Sequence, residues 1–169
     1  EIYTTVHTLS LHDALPIAVQ VKVSDAFGNG LAARSVSLTL VGTGTLTGGA
    51  AVLTDAAGIA TFAGASVNLS GSKQLTASSG VLPSVTSAAF NVSPAAAAAL
   101  TFTVAPSNVV AGVAIAPAVQ VKVSDALGNA VPGQVISLSL VGTGTLTGGG
   151  ALTSDAAGLA TYAGASVNL

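Results

Sequence analysis

Apolar and polar residues alternate along short stretches of this chain, and turn-forming residues separate the stretches. In residues 18–24, valines at every second position alternate with Gln20, Lys22 and Ser24. A period of two residues is typical of a β-strand with one buried face. Similar stretches cover residues 35–40, 51–53, 59–67, 73–78, 84–92 and 99–105, and a short glycine-flanked strand is predicted at 45–47. The pattern has no helical period and predicts an all-β sandwich.

The same alternation assigns residues to the core. We predict that the apolar side of the strands is buried: Val19, Val21, Val23, Val36, Leu38, Leu40, Phe62, Leu75, Phe90, Phe102 and Val104. Their counterparts one hundred residues later are predicted to be buried too. Gln20, Lys22 and Ser37 lie on the opposite side of their strands. If these three residues faced inward, the predicted register would be wrong by one residue.

The chain contains a long internal repeat. The stretch AVQVKVSDAFGN at 18–29 returns as AVQVKVSDALGN at 118–129, and residues 18–69 are identical to residues 118–169 at 37 of 52 positions. The differences cluster at 30–36 and 50–54, where we expect surface loops. A period of about one hundred residues is the size of a small domain. We therefore predict tandem domains at 18–93 and 99–169, joined by a short linker at 94–98.

Each predicted domain lacks strands that the other has. The first has no counterpart of the alternating stretch 99–105, because residues 1–17 occupy that place. The second has no counterpart of residues 70–98, which carry the last two strands of the first domain. We expect this loss to uncover the inner faces around Phe102, Leu138 and Leu140 and to leave an unpaired strand edge.

Residues 1–17, EIYTTVHTLSLHDALPI, do not belong to the repeat and contain both histidines and the only glutamate. Translated back into codons, TLSLHDALPI resembles one frame of a short-read sequencing adapter, and EIYT resembles the adapter's other end. A targeting signal fits less well, because the start is not basic and His12 and Asp13 interrupt the apolar stretch. We interpret residues 1–17 as a non-native leader that contributes little to the fold. An extended segment within residues 2–9 can still pair with the vacant sheet edge.

The order of four motifs, VQVKVSDAFGN, VSLTL, TDAAGIATF and QLTASSG, resembles the bacterial immunoglobulin-like (Big) repeats of invasin- and intimin-like adhesins. The most specific element is D-x-x-G-x-A-x-F at 55–62, which recurs with Tyr162 in place of the phenylalanine. The resemblance covers nearly everything after residue 17. It implies tandem immunoglobulin-like β-sandwich domains, both incomplete, in an extracellular stalk or binding array on a bacterial surface.

Composition excludes several functions. A formal net charge of −2 gives no electrostatic footprint for nucleic acid, and the apolar runs are shorter than the roughly 20 residues that span a bilayer. After residue 17 the chain has no His, Cys or Glu. A serine or threonine nucleophile needs a base beside it, and general acid–base catalysis by carboxylates needs two of them together. We predict that the chain is not an enzyme and has no catalytic residues and no cofactor.

Three patterns could mark binding sites. Asp25 with Asn29, together with Asp55, could contribute to a calcium site between domains, but calcium takes six to eight oxygens and each repeat offers two aspartates. We interpret these residues as Asx turns and predict no metal site. Asn68 and Asn91 match a glycosylation pattern, which we interpret as coincidence in a serine-rich chain. The glycine-rich GTGTLTGG at 42–49 has no lysine and no following helix, so we predict a strand connection instead of a phosphate loop.

The leading functional hypothesis is a non-catalytic structural and adhesive module of a large bacterial cell-surface or secreted protein. It would act as a stalk or spacer, with neighbouring repeats of the same chain and a host or surface protein or glycan as its partners. The alternative is a carbohydrate- or ligand-binding accessory domain of a secreted enzyme. Such a domain would present clustered aromatic rings, whereas the aromatic residues here fall mostly at inward positions or differ between the copies.

Overall fold

The computed structural model describes residues 2–5, 18–80 and 82–169. These residues contain no helix, and the chain divides into two compact units, Glu1–Ser93 (unit 1) and Pro94–Leu169 (unit 2). The strands of unit 1 are β1 (Ile2–Thr5), β2 (Val19–Val23), β3 (Ser35–Val41), β4 (Leu46–Thr47), β5 (Val52–Leu53), β6 (Ile59–Phe62), β7 (Ser66–Val67), β8 (Gly71–Ser78), β9 (Val85–Thr86) and β10 (Phe90–Val92). The strands of unit 2 are β11 (Ala99–Val104), β12 (Val119–Ser124), β13 (Val135–Ile136), β14 (Thr145–Thr147), β15 (Leu152–Thr153), β16 (Leu159–Tyr162) and β17 (Ser166–Asn168).

Unit 1 is built from two main antiparallel sheets. In the first, β2 lies between β1 and β6. The second runs in the order β10-β8-β3-β5, with β9 also paired to β8. The short strands β4 and β7 pair with each other. Antiparallel sheets with one buried face explain why the apolar residues of this unit recur at every second position.

The two main sheets of unit 1 contribute to a single apolar core. Its buried residues are Val21, Val23, Ala60 and Phe62 from the first sheet and Val36, Leu38, Leu75 and Ala77 from the second. Val19, Leu40 and Phe90 are half-buried and pack against this cluster. Gln20 and Lys22 are exposed, which confirms the predicted register of β2. Two sheets around one core are consistent with a β-sandwich.

Unit 2 contains a sheet of the same design. β12 lies between β11 and β16, and Val119 pairs with Tyr162 as Val19 pairs with Phe62 in unit 1. Two further pairs of strands, β13 with β15 and β14 with β17, complete the described sheets. The buried core of unit 2 contains Ile115, Val119, Val121, Val123, Val131, Ile136, Ala160, Tyr162 and Ala165. The prediction that the counterparts of the unit 1 core are buried is confirmed for β12, Ile136 and Tyr162.

The prediction that Phe102 belongs to the core is wrong. Its side chain is 54% exposed, and that of Leu100 on the same strand is 63% exposed. In unit 1, Leu75 and Ala77 of β8, which pairs with β3, are buried in the core shared with the β2 sheet, but no described strand of unit 2 occupies the equivalent place. The expected uncovering of the inner face around Phe102 is therefore confirmed.

Two predicted strands are broken by turns. The alternating stretch 59–67 forms β6 and β7, which are separated by a turn in which Gly64 has a φ of +77°. The stretch 84–92 forms β9 and β10, and Ala88 between them is exposed instead of facing inward. The alternation of side chains predicts the facing of each half but does not reveal where the backbone leaves the sheet.

Residues 2–5 supply a strand to unit 1. β1 pairs with β2 in the register that β11 adopts on β12, since Ile2 lies opposite Val23 and Leu100 lies opposite Val123. The prediction that an extended part of residues 2–9 pairs with the vacant edge is confirmed for residues 2–5, and residues 6–9 lie outside the described residues. The rest of the interpretation of residues 1–17 remains a prediction.

The uncovered face of unit 2 leads to a stability prediction. Residues 99–169 alone should show no cooperative thermal transition, whereas the same segment extended by a copy of residues 70–98 should melt in one transition. The added segment restores the full burial of a leucine like Leu75, worth roughly 1.5–3 kcal/mol, and the partial burial of Phe90, against a total stability of about 5–15 kcal/mol for a small domain. Calorimetry of the two segments measures this difference. A sharp transition from the unextended segment would contradict the role we assign to the uncovered face.

Candidate functional site

The carboxylate of Asp25 holds a turn at the end of β2. Its Oδ1 accepts hydrogen bonds from the backbone amides of Phe27 and Asn29, both at 2.9 Å. Its Oδ2 accepts a hydrogen bond from the side-chain amide of Asn29 at 3.0 Å. These bonds form an Asx turn, in which a side chain takes the place of a backbone acceptor. Gly28, with a φ of +86°, completes the reversal.

Asp55 holds a second turn in the same manner. Its Oδ1 accepts hydrogen bonds from the backbone amides of Ala57 at 2.8 Å and Ile59 at 2.9 Å. Gly58 has a φ of +78°, and a Cβ added there would collide with the backbone carbonyl of Val23. Only glycine adopts this conformation without strain and allows the turn to approach β2 so closely.

These contacts explain the D-x-x-G-x-A-x-F motif physically. The aspartate and the glycine form the turn, and the two residues spaced after it, Ala60 and Phe62, are the buried side chains of β6. In unit 2 the same roles fall to Asp155, with Gly158 at a φ of +72°. Each of the motif's defining residues therefore has a structural role.

The hydrogen bonds support the interpretation of these aspartates as Asx turns. The side-chain hydrogen bond from Asn29, followed by the backbone amide of Asn29, lowers the pKa of Asp25 below its ordinary value. Within the described residues, no group of three His, Cys, Asp or Glu side chains converges on one point. Both carboxylate oxygens of Asp25, and Oδ1 of Asp55, accept hydrogen bonds from donors of their own turns.

The corresponding turn in unit 2 is more deeply buried. Asp125 is only 2% exposed, and its Oδ2 accepts hydrogen bonds from the side chain of Asn129 at 2.9 Å and from the backbone amide of Ala95 at 3.0 Å. The amide of Ala98 also donates to the carbonyl of Ser124. The residues that we predicted to be a linker are thus fastened to unit 2. The hydrogen bond from the Asn129 side chain is the main cause of a lowered pKa at Asp125.

Several buried polar side chains were not predicted. Lys73 is 3% exposed, and its Nζ donates to Thr43 Oγ1 at 3.1 Å and to the carbonyl of Ser70 at 3.0 Å. It lies two residues before Leu75, so the alternation did place it on the inner face of β8. The aliphatic part of a lysine side chain can line a core margin if its amino group finds acceptors.

Thr54 and its counterpart Ser154 are buried hydroxyls that tie two segments together. Thr54 Oγ1 accepts from the amide of Arg34 and donates to the carbonyl of Leu31, and Ser154 Oγ makes the equivalent bonds in unit 2. The expectation of surface loops at 30–36 and 50–54 is therefore wrong at Thr54 and, in the second copy, at Ser154, and it is also wrong at Val36, which is buried in β3. The signal was present in the repeat, since both copies keep a hydroxyl where the neighbouring residues change.

The remaining candidate patterns are also used structurally. Residues 42–49 form the connection that contains β4, which agrees with the predicted strand connection. The side chain of Asn68 accepts a hydrogen bond from the amide of Thr45 at 2.7 Å, and Asn91 lies on β10 opposite Ser72.

The feature that is not explained by internal contacts is the uncovered face of unit 2. It forms an open groove of about 130 Å³ beside Leu100, Phe102 and Leu138. Its lining is mostly apolar, and Val121 and Ile136 of the core lie at its floor. We call this feature the open face. The equivalent face of unit 1 is covered by β8, so these exposed apolar side chains correspond to positions that a strand of the sheet covers in the first unit.

Comparison with known proteins gives no assignment: no family model, no curated protein and no solved structure matches the chain. Searching the described residues for a helix long and apolar enough to cross a membrane finds none.

The lowered pKa values predict an acid-sensitive contribution from each turn. The pKa of Asp125 in the folded chain lies below the ordinary value of 3.8, so its stabilising effect is complete above that pH and is lost as the pH falls through the folded pKa. Asp125→Asn should therefore lower the stability of unit 2 near neutral pH and flatten its dependence on pH below about 4. Asp25→Asn is the matched variant and should do the same in unit 1 only.

Hydrogen exchange can be detected by mass spectrometry along a urea series and repeated at pH values between 2 and 7. This experiment gives the free energy of unfolding of each unit in the same sample. An unchanged acid dependence of unit 2 in the Asp125→Asn variant would contradict the assigned role.

Proposed function

We propose that the chain is a non-catalytic structural and adhesive segment of a large bacterial cell-surface or secreted protein, built from tandem immunoglobulin-like units of the Big type. In this proposal the units act as a stalk or spacer, and adhesion to a host or surface protein or glycan takes place through loops or neighbouring parts of the protein. The fold alone does not specify a function, so the proposal depends on the use of the side chains.

The observation that carries the proposal is the repetition of one sheet design in successive units. Each unit pairs its central strand with the strand that follows the D-x-x-G turn, in the same register, and buries the same aromatic position, Phe62 or Tyr162. Repeated units that each have their own core add length without requiring new chemistry. Such repetition is characteristic of spacers.

The polar side chains support a structural role. The aspartates of the two turns in unit 1 are occupied by hydrogen bonds from Phe27, Asn29, Ala57 and Ile59. Lys73 is engaged by Thr43 and Ser70, and Thr54 by Leu31 and Arg34. A catalytic group needs to be presented to a substrate, whereas these groups are turned toward the backbone of their own unit.

One observation bears on the alternative of a carbohydrate-binding accessory domain. Phe27, at the tip of the Asp25 turn, is 91% exposed, and an exposed aromatic ring can stack on a sugar. Its counterpart is Leu127, which is also exposed but has no ring. Binding through Phe27 would therefore be confined to unit 1, which favours the spacer over the accessory domain.

The parent reading frame tests the proposal. Long-read sequencing of the locus should find further copies of the unit and an export signal, and it should not find the codons of residues 1–17 in the native gene. A catalytic domain adjoining these units would favour the accessory domain and would contradict the spacer.

Polysaccharide pull-down of the full chain gives an independent readout. We expect no saturable binding to insoluble polysaccharides and no difference between the wild-type chain and Phe27→Ala. Saturable binding that Phe27→Ala abolishes would contradict the spacer role.

A further inference from the structure

Only one asparagine of the chain is followed by glycine. It is Asn29, and it lies at the exposed tip of the turn that Asp25 holds in unit 1. Its counterpart in unit 2, Asn129, is followed by alanine and is only 8% exposed. Every other asparagine precedes leucine or valine. The two repeats therefore hold the same side chain in two chemically different settings.

An asparagine side chain can react with the backbone of the residue that follows it. The backbone nitrogen of Gly30 attacks Cγ of Asn29, the bond from Cγ to Nδ2 breaks, and ammonia leaves with the proton of the Gly30 amide. The product is a cyclic succinimide, which solvent water opens at either carbonyl to give aspartate or isoaspartate. Asparagine is a thermolabile residue for such reasons, and a following glycine favours ring closure because it has no Cβ to hinder the approach of its nitrogen.

The packing of unit 1 requires the glycine that makes Asn29 reactive. A Cβ added to Gly30 would collide with the backbone carbonyl of Ala57, in the turn held by Asp55. The corresponding turns of unit 2 are less tightly packed. A Cβ on Gly58 would lie 2.7 Å from Cα of Gly30, whereas the distance from a Cβ on Gly158 to Cα of the alanine at position 130 is 3.3 Å.

Hydrogen bonds to Asp25 restrain Asn29 in the folded turn. Nδ2 of Asn29 donates to Asp25 Oδ2 at 3.0 Å, and the backbone amide of Asn29 donates to Asp25 Oδ1 at 2.9 Å. Ring closure requires Cγ of Asn29 to reach the nitrogen of Gly30, and the bond from Nδ2 to Asp25 opposes this rotation. Because residues 26–29 are all exposed, the turn can open locally without uncovering the core.

We propose that Asn29 is a site of spontaneous deamidation, which Asp25 slows and which alters the turn of unit 1 and not that of unit 2. The product places a carboxylate where the amide nitrogen donates to Asp25, so repulsion between like charges replaces a hydrogen bond. Isoaspartate also adds a methylene group to the backbone just before Gly30, which bridges Ser24. The turn of unit 1 therefore loosens with time, whereas the buried turn of unit 2 keeps its hydrogen bonds.

Peptide mapping of the full chain during incubation in mildly alkaline buffer tests the proposal. Trypsin cleaves after Lys22 and Arg34 and releases residues 23–34, in which Asn29 is the only asparagine. We expect the mass increase from amide to acid to accumulate at Asn29 at least about tenfold faster than at Asn129, as two chromatographic products. Equal rates at the two asparagines, or no conversion at Asn29, would overturn the proposal.

Two variants with a free peptide as reference test the chemistry and the restraint separately. Asn29→Gln should stop the conversion, because glutamine has to close a larger ring. Asp25→Asn removes the acceptor of Asn29 Nδ2 and should accelerate conversion at Asn29 toward the rate of a free peptide of residues 23–34, whereas Asp125→Asn should leave that rate unchanged. If Asp25→Asn does not fold, the comparison of the wild-type chain with the free peptide remains, and equal rates for these two would overturn the restraint by Asp25.

Asn29→Asp reproduces the aspartate product and isolates its effect on the fold. We expect faster hydrogen exchange at the backbone amides of Phe27 and of residue 29, which donate to Asp25 in the unmodified chain, and no change in the turn of unit 2. Unchanged exchange at both amides of unit 1 would overturn the loosening of the turn.

Discussion

Burial of the inner side of one central strand is the constraint on which each unit depends. In unit 1, Val21 and Val23 of β2 are completely buried, and in unit 2 the equivalent valines of β12 are at most 4% exposed. A strand can bury one face only if its edges are paired and a second layer lies over that face. The turns held by Asp25 and Asp55 bring β6 beside β2, and the absence of a side chain at Gly58 allows the close approach. The rest of each unit supplies the covering layer.

The two units differ in how that layer is completed. β8 covers unit 1 with Leu75 and Ala77, whereas the described part of unit 2 leaves Phe102 and Leu138 partly in solvent. Nearly identical sequences therefore occur with a covered and with an uncovered face. Residues 137–141 differ from residues 37–41 only at Ser139, so the exposure of Leu138 reflects the place that β8 takes in unit 1 and not a change in the segment itself.

The alternation of apolar residues predicts a strand well where the backbone is paired on both edges. The alternating valines alone predict which side of β2 is buried. The alternation within residues 59–67 predicts the inward position of Phe62 in the same way. Phe102 has the same pattern, but its burial requires a covering strand elsewhere in the chain, and alternation carries no information about that strand. Lys73 shows the converse, because the pattern places it inward while its charge suggests the surface. Its burial depends on oxygens of Thr43, which is 30 residues away in the chain, and of Ser70, just before β8. Spacing along the sequence identifies neither acceptor.

Native-state hydrogen exchange of the full chain tests the central claim most directly, because it compares residues 37–41 with residues 137–141 within one molecule. The amides of Thr39 and Val41 lie on the side of β3 that pairs with β8, whereas Leu38 donates in the opposite direction to Gly49. The account predicts slow exchange at these two amides and fast exchange at Ser139 and Val141, with Leu38 and Leu138 both protected more than Ser139. Equal protection of Thr39 and Ser139 would show that the edge in unit 2 is already paired and would contradict the account.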